Sequence, residues 1–345
     1  MIDAMRETLV QSHGRRAEFG AEPTAILWLG DDAWLTLGDG SVRHMTDAGE
    51  VAAHPVHSGA ILAACRHPDG RSIVTGGDDG RICRVTADGD FLELGRFDRR
   101  WVEHLVASPA SGLIVAGVGR EAVVWTPGAT GATGPSHRYA IGSTIGGLAL
   151  DGKGKRLAVA HYGGVSLVYA ATAGSGRVAL DWIGSHLACT MSADGRYVVT
   201  ALQETGLHGW RLPDLRDMRM SGYVAKTRSF SWDRRGKWLA TSGDACAVLW
   251  SFDGKSGPMD KPPLLLAERR GAIVTRVAFH PRSDLLAIGY DDGVVVLTQA
   301  GDDRPLLVDE GGAAITALSW NDAGTRLGWG DEGGRIGILD MAARA

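Results

Sequence analysis

Short apolar runs alternate with turn residues along almost the whole chain. The stretch 61–85 shows the pattern: one apolar run ends in His-Pro-Asp-Gly, a second at 72–75 ends in Gly-Gly-Asp-Asp-Gly, and a third carries Ile82 and Val85. Apolar runs of this length between tight turns are typical of short strands in a β meander. They argue against alternating helices and strands.

The pattern recurs at a regular interval and is clear again at 272–298 and 314–340. The turns between second and third strands recur about every forty to fifty residues, the spacing of four-stranded units. These turns lie at Gly40, Gly80, Gly119, Gly164, Gly206, Asp244, Gly293 and Gly334. We therefore expect one domain, 1–345, in which a segment at 1–22 precedes eight units. The units are approximately 23–58, 59–98, 99–140, 141–183, 184–224, 225–269, 270–310 and 311–345.

Two stretches carry a family resemblance, VTRVAFHP at 274–281 and RIGILD at 335–340. They resemble the WD40 repeat. The resemblance implies an all-β fold, a closed β-propeller of four-stranded antiparallel blades, whose stacked blades bury their faces and leave only short edges. We favour eight blades, with seven blades plus an irregular N-terminal unit as the alternative. In this family an N-terminal strand often completes the last blade, and we expect residues 7–11 or 15–19 to do so here.

Large aromatic side chains near the ends of first and third strands are predicted to fill the layers between blades, because such side chains carry much of the buried area in proteins. They are Trp125, Tyr169, Trp210, Trp232, Trp250, Phe279 and Trp320.

The WD40 family has a diagnostic hydrogen-bonded tetrad. It links a Gly-His dipeptide before the first strand, a Ser or Thr in the second strand, an Asp in the following turn and a Trp in the third strand. This chain has no Gly-His dipeptide, and His57 and His186 lie only near the expected position. The turn acid is kept in several units, at Asp39, Asp79, Asp244, Asp292 and either Asp331 or Glu332. The sequence thus predicts no complete tetrad.

The turns between second and third strands form one rim of the ring, the top rim. Its acids are Asp39, Asp78, Asp79, Glu121, Glu204, Asp244, Asp291, Asp292, Asp331 and Glu332, against Arg120 alone. Some of these acids fit as structural residues of tight Asp-Gly turns. The other interpretation is an acidic collar that attracts a basic peptide or a cation.

The loops that lead into first strands add bases to the same rim, and a patterned charged rim suits protein partners. The candidate partner-binding residues are Arg99, Arg100, Arg120, Glu121, Glu204, Arg228, Asp244, Arg269, Arg270, Tyr290, Asp291 and Asp331. First strands line the central channel in this fold, so we expect polar residues there to be solvated channel lining. These are Glu103, His104, Arg228 and Arg276.

Four histidines are candidate metal ligands. His54 and His57 are three apart, but residues three apart on a strand point to opposite faces, and Pro55 indicates an edge. His161 lies on the top rim, where it would join His186 and nearby carboxylates as a zinc or divalent-cation site. The sequence does not establish that these groups converge, so we assign no metal firmly and expect no cofactor.

Composition narrows the class of protein. The net charge of −4 gives no support to nucleic-acid binding by global charge. The first twenty residues hold no secretory core and no stretch approaches a membrane span, so we expect a cytoplasmic protein. Cys65, Cys83, Cys189 and Cys246 are scattered, and we expect neither a disulfide framework nor a zinc ribbon. Abundant Gly and Ala, with Arg in place of Lys, indicate a bacterial source.

No Gly-x-Ser-x-Gly elbow, Walker loop or HExxH motif is present, so we expect no enzyme. The favoured hypothesis is a non-catalytic scaffold, a monomer that binds protein partners on its charged top rim. One alternative is a metal-binding or metal-homeostasis accessory protein. A third is a propeller hydrolase or lactonase, which the single asparagine, Asn321, counts against.

Overall fold

The computed structural model describes residues 8–46, 48–49, 51–128, 134–302 and 304–342. Over this part the chain forms strands β1 to β30 and one short helix, α1 (Leu9–His13). The all-β prediction is confirmed. None of the described helical residues forms a helix long and apolar enough to cross a membrane.

The first three sheets each contain four consecutive antiparallel strands. The first sheet consists of β2 (Pro23–Leu29), β3 (Asp32–Leu37), β4 (Ser41–Met45) and β5 (Val51–Pro55). The second consists of β6 (Ile61–Arg66), β7 (Ser72–Gly77), β8 (Arg81–Thr86) and β9 (Phe91–Arg96). The third consists of β10 (Val102–Ser108), β11 (Leu113–Val118), β12 (Glu121–Trp125) and β13 (His137–Ala140).

The next sheet has six strands. They are β14 (Ile145–Leu150), β15 (Arg156–Tyr169), β16 (Val178–Met191), β17 (Tyr197–Leu202), β18 (Gly206–Arg211) and β19 (Arg216–Met220). The two halves of β15 pair with different strands, 157–161 with β14 and 162–167 with β16. The second half of β16 pairs with β17.

The predicted units 141–183 and 184–224 therefore share one sheet, because the ladder continues through the pair Tyr162 and Ser185, where we expected a break. The described residues form seven sheets in total. The favoured prediction of eight separate four-stranded blades is thus wrong, because two of the predicted units form one six-stranded sheet.

Three four-stranded sheets complete the ring. One consists of β20 (Phe230–Trp232), β21 (Trp238–Thr241), β22 (Ala247–Ser251) and β23 (Leu264–Leu266). The next consists of β24 (Val274–Phe279), β25 (Leu286–Tyr290), β26 (Val294–Thr298) and β27 (Leu306–Glu310). The last consists of β28 (Ile315–Trp320), β29 (Arg326–Asp331), β30 (Arg335–Asp340) and β1 (Gly14–Glu18).

An N-terminal strand completes the last sheet, since β1 pairs antiparallel with β30. Of the two predicted locations, 15–19 is the correct one. In the other, residues 9–11 lie in α1, and residue 7 lies outside the described residues.

The last sheet packs against the first and closes the ring. The Trp28 indole Nε1 donates to the carbonyl oxygen of Ser319 at 3.2 Å, and the Thr316 hydroxyl donates to the carbonyl oxygen of Pro23 at 2.7 Å. One apolar cluster joins Ile26 of the first sheet to Ile338 of the last. The closed ring places all first strands around the centre.

The core lies between neighbouring sheets. In the second strands β7, β11 and β17 every residue is buried, so the usual inward and outward alternation disappears. The reason is that a sheet stacked on both faces has no solvent side. Val74 of one sheet, for example, packs in one cluster with Ile114 and Trp125 of the next.

The aromatic predictions hold with one exception. Trp125, Trp210, Trp250 and Trp320 are buried, and Trp232 and Phe279 are partly buried against core clusters. The prediction for Tyr169 is wrong: its side chain is 58% exposed. It is the last residue of β15, and Leu167 and Val168 already fill the buried layers there.

The four cysteines are free thiols. Cys83 and Cys246 are buried, and Cys65 and Cys189 are partly buried. Burial raises the pKa of Cys83 to about 12, which makes that thiol a weak nucleophile.

Candidate functional site: the top rim

A hydrogen-bond network survives in the second sheet although the Gly-His dipeptide is missing. His57 Nδ1 lies 2.9 Å from Asp79 Oδ1, and His57 Nε2 lies 2.9 Å from the Thr75 hydroxyl. That hydroxyl donates to the backbone carbonyl oxygen of Cys83. The position that Trp250 takes in the sheet of β20 to β23 is taken here by Val85, because Val85 pairs with Ile73 as Trp250 pairs with Leu239. The network thus keeps its His, Thr and Asp members and lacks the tryptophan.

The charge states of this network follow from its burial. Burial lowers the pKa of His57, and the neighbouring Asp79 carboxylate only partly opposes this. Burial would raise the pKa of Asp79, but the hydrogen bonds from His57 and from the backbone of Arg81 and Ser58 outweigh it and lower that pKa. The carboxylate therefore stays ionised and holds the turn together.

Two other sheets build the network from different residues. In the sheet of β20 to β23, the hydroxyl of Tyr223, a residue in the loop before β20, lies 2.6 Å from the Thr241 hydroxyl and accepts a 2.7 Å hydrogen bond from Trp250 Nε1. In the six-stranded sheet, His186 Nδ1 lies 2.8 Å from the Thr200 hydroxyl, which donates to the carbonyl oxygen of His208. The sequence motif places His186 only near the expected position and does not include Tyr223, because it specifies residue types and not the hydrogen-bonding groups that reach those positions.

His208 is the least satisfied member of these networks. Its side chain is fully buried and stacks on Trp182, with ring centroids 3.8 Å apart. Asp217 Oδ2 lies 3.3 Å from Nε2, but neither ring nitrogen has a hydrogen bond of acceptable geometry. Burial lowers the pKa of His208 to about 4, with Asp217 opposing the shift, so the ring is neutral near pH 7.

Some charged rim residues neutralise one another. Arg100 Nη1 contacts Glu121 Oε2 at 2.6 Å, and Arg269 Nε contacts Asp292 Oδ2 at 2.6 Å. The turn carboxylates of Asp39 and Asp292 also accept backbone N–H groups two residues ahead. These acids therefore have a structural role in their turns, the first of the two interpretations.

Two predicted partner-binding residues are not accessible. Tyr290 is 1% exposed, and its hydroxyl donates to the carbonyl oxygen of Ala267. Asp331 is 2% exposed and pairs with Arg335 Nε at 2.8 Å. Both predictions are therefore corrected: these side chains stabilise the rim and do not form its outer surface.

The remaining predicted rim residues reach solvent. Arg99, Arg120, Glu204, Arg228, Arg270 and Asp291 are exposed, and Asp244 is partly exposed. Arg228 and Asp291 line one cleft of about 370 Å³ together with Lys226 and Glu332. This cleft lies between β20, β24 and β28, and it carries two bases and two acids.

The same rim also carries large exposed apolar side chains, which the predicted set of rim residues does not include. Trp101 is 60% exposed, Tyr162 63%, Ile183 82% and Val224 65%. Trp101 and Val224 lie in the loops before β10 and β20, whereas Tyr162 and Ile183 lie within β15 and β16 of the six-stranded sheet. One indication of exposure is present in the sequence. Trp101 directly follows Arg99 and Arg100 and lies outside the apolar pattern of the strands.

The central channel is lined mainly by small residues. A cavity of about 320 Å³ is bounded by first-strand residues such as Ala25, Ala63 and Gly146, with Glu103 and His104 on one wall. His104 Nε2 lies 3.1 Å from the carbonyl oxygen of Ile145. Arg276 donates to the carbonyl oxygen of Thr316 at 2.6 Å. These two side chains are therefore engaged with the protein itself.

The four candidate metal ligands do not converge. Among the described residues no group of three or more His, Cys, Asp or Glu side chains is arranged to hold a metal ion. His161 uses Nε2 toward the Ser166 hydroxyl and Nδ1 toward the carbonyl oxygen of Tyr162. His57 and His186 belong to the networks above, and His54 stacks on Trp34.

Comparison with known proteins places these features in a family. The family model described as "WD domain, G-beta repeat" matches residues 50–83 and 265–298. Relatives described as "Ribosome biogenesis protein WDR12 homolog" are 24% identical in Drosophila virilis and 23% identical in Drosophila sechellia over 166 residues, or 42% of this chain. The aligned part covers 38% of the length of those relatives.

A solved structure resembles the whole ring. The crystal structure of the computationally designed Ika8 protein matches with a TM-score of 0.74, covering 94% of this chain and 97% of that chain at 16% identity. At that identity the match concerns the fold alone. The two matched WD40 repeats and the closed ring of antiparallel sheets together support a WD40-repeat β-propeller.

Proposed function

We propose that the protein is a non-catalytic scaffold that binds one or more protein partners on its top rim. The observation that carries the proposal is the set of exposed apolar side chains there, Trp101, Tyr162, Ile183 and Val224. Large apolar side chains that share one face with charged residues are typical of protein interaction sites. The exposed Arg99, Arg120 and Glu204 would give the contact its specificity.

The relatives give weaker support for the biological process. Their name refers to ribosome biogenesis, and we carry over only the idea of a protein that acts through binding. We also propose a monomer, because a closed ring leaves only short outer edges unpaired. Cytoplasmic location and a bacterial source stay predictions, and the curated relatives reported above come from Drosophila.

The test is an affinity capture from the protein's own cell extract, read by mass spectrometry. The double variant Trp101→Ser/Val224→Ser should lose the partners that the wild type retains, because apolar anchors dominate binding energy. The control is Leu265→Ser/Leu306→Ser, which removes side chains that are 58% and 55% exposed on the outer strands β23 and β27.

Equal capture by the wild type and both double variants would contradict rim binding. The metal hypothesis has a separate readout on the same sample, the metal content of untagged protein. A stoichiometric metal without any captured protein would replace the scaffold by the alternative function.

A further inference from the structure

An irregular stretch of the six-stranded sheet carries four exposed side chains side by side. Tyr162 pairs with Ser185 and Gly164 pairs with Asp181, so residues 182–184 form a bulge beside Tyr162. Glu204 joins them, because a Cβ atom on Gly184 would lie 3.2 Å from its carboxylate oxygen. We call this surface, made of Tyr162, Asp181, Ile183 and Glu204, the bulge corner.

The bulge corner is apolar and acidic at once. Tyr162 is 63% and Ile183 82% exposed, the latter the highest value among the described large apolar side chains. Asp181 and Glu204 are exposed as well. Neither carboxylate forms an ion pair with any residue in the described part of the chain. The surface therefore presents uncompensated negative charge around an aromatic ring and an aliphatic side chain.

The structure beneath the corner holds it in place. Trp182 stacks on the buried ring of His208 with an interplanar angle of 17°. Its carbonyl oxygen lies 3.1 Å from His186 Nε2. On the other strand the backbone N–H of Tyr162 donates to the Ser143 hydroxyl at 3.0 Å. A surface fixed in this way loses little conformational entropy when it binds.

We propose that the bulge corner binds a partner segment in which arginine or lysine alternates with aliphatic residues. The aliphatic side chain would pack on Ile183, and a guanidinium would stack over the Tyr162 ring within reach of Asp181 and Glu204. This choice of partner rests on charge complementarity, because an acidic segment would meet two unpaired carboxylates. The inference deepens the proposed function by naming the partner's chemistry.

The test uses fluorescence anisotropy with short labelled peptides on the full chain. A peptide of alternating arginine and leucine should bind, and its glutamate-leucine and arginine-glycine counterparts should not. The variant Ile183→Ser should weaken binding by about tenfold, and Glu204→Gln by about threefold with a smaller salt dependence. Leu265→Ser and Glu310→Gln, exposed positions in other sheets, are the matched controls.

Binding of the arginine-leucine peptide that depends on Ile183 and Glu204 but not on the control positions supports the inference. No binding at about 1 mM peptide, equal binding of the glutamate-leucine peptide, or unchanged affinity in Ile183→Ser would each overturn it. Failure here is distinguishable from failure of the scaffold proposal. Partners captured through Trp101 and Val224 would leave the scaffold standing without this corner.

Discussion

The second sheet and the six-stranded sheet place histidines in comparable networks but satisfy them differently. In the second sheet, His57 has two partners, and the turn acid Asp79 binds His57 and two backbone N–H groups. In the six-stranded sheet, His186 also has two partners, but the buried ring of His208 has no hydrogen bond, although Asp217 Oδ2 lies 3.3 Å from its Nε2. A satisfied network stiffens its turn, whereas a buried unsatisfied ring leaves part of its desolvation cost uncompensated.

The difference extends to the rim above each network. The top turn of the second sheet ends in a paired, hydrogen-bonded Asp79, while the six-stranded sheet carries the exposed Tyr162 and Ile183. Functional surfaces often coincide with local departures from ideal structure. The comparison indicates that the hydrogen-bonded network of the second sheet stabilises its turn, and it agrees with our proposal that the irregular sheet carries a binding surface.

The largest effect is expected when Asp79, the acid of the His57 network in the second sheet, is removed. Asp79→Ala would leave His57 Nδ1 and the backbone N–H groups of Ser58 and Arg81 without an acceptor. We expect the free energy of unfolding to fall by about 3 kcal/mol, since each unmet buried group is costly. Urea denaturation followed by circular dichroism measures the change.

The neighbouring acid provides the control for that experiment. Asp78→Ala removes a carboxylate that forms no side-chain hydrogen bond with any described residue, and the expected loss is about 0.5 kcal/mol or less. If Asp79→Ala and Asp78→Ala lowered the free energy of unfolding equally, the hydrogen bonds of Asp79 would make no specific contribution to stability.

The second prediction concerns pH and the unsatisfied ring. His208 has a folded pKa of about 4 against an ordinary value of 6.5, so the unfolded chain binds more protons between these values. The stability from the neutral ring is present above pH 6.5 and is lost as the pH falls toward 4. We expect a loss of about 2 kcal/mol between pH 7 and pH 5 from this group.

His208→Phe isolates that contribution, because phenylalanine keeps the stack on Trp182 and does not titrate. The pH dependence of its urea midpoint should be flatter than that of the wild type over this range. Parallel curves for the two proteins would assign the acid sensitivity to other groups, such as His57, whose pKa is also lowered.

The sequence pattern predicted much of the fold, because turn spacing and apolar runs are local signals. It predicted that an N-terminal strand, at 7–11 or 15–19, completes the last sheet, because the final unit has only three strands of its own, and the structure selects the second location. It did not predict that the units around Tyr162 and Ser185 share a sheet. That outcome depends on a backbone ladder between residues far apart in sequence, which side-chain patterns do not encode.

The candidate site was harder to predict. Arg99 and Glu204 are exposed in rim loops, but the burial of Tyr290 depends on a contact with Ala267, far back in the chain, and that of Asp331 on Arg335 across its own turn. Ile183 was not predicted to be exposed, because it lies in the bulge of β16, where the alternation of a regular strand breaks down. His57 and His186 were placed only near the motif position, and the tyrosine network was not predicted because the hydroxyl of Tyr223 takes the role that the family motif gives to histidine.

The smallest predicted effect tests whether a substituted network behaves like the satisfied one. In Tyr223→Phe the Trp250 indole N–H loses its acceptor and Thr241 loses a partner, although Thr241 still donates to the carbonyl oxygen of Val248. Because the ring itself stays packed, we expect a loss of about 1 kcal/mol in the free energy of unfolding. Urea denaturation provides the measurement, with Tyr169→Phe, which changes an exposed ring, as the control.

If Tyr223→Phe lowered the free energy of unfolding as much as Asp79→Ala does, the Tyr223 hydroxyl would be as important to its sheet as the Asp79 carboxylate is to the second sheet. If the loss were no larger than that of Tyr169→Phe, the Tyr223 ring would stabilise its sheet by packing alone. Of the two networks, only that of the second sheet would then stabilise the fold through its hydrogen bonds.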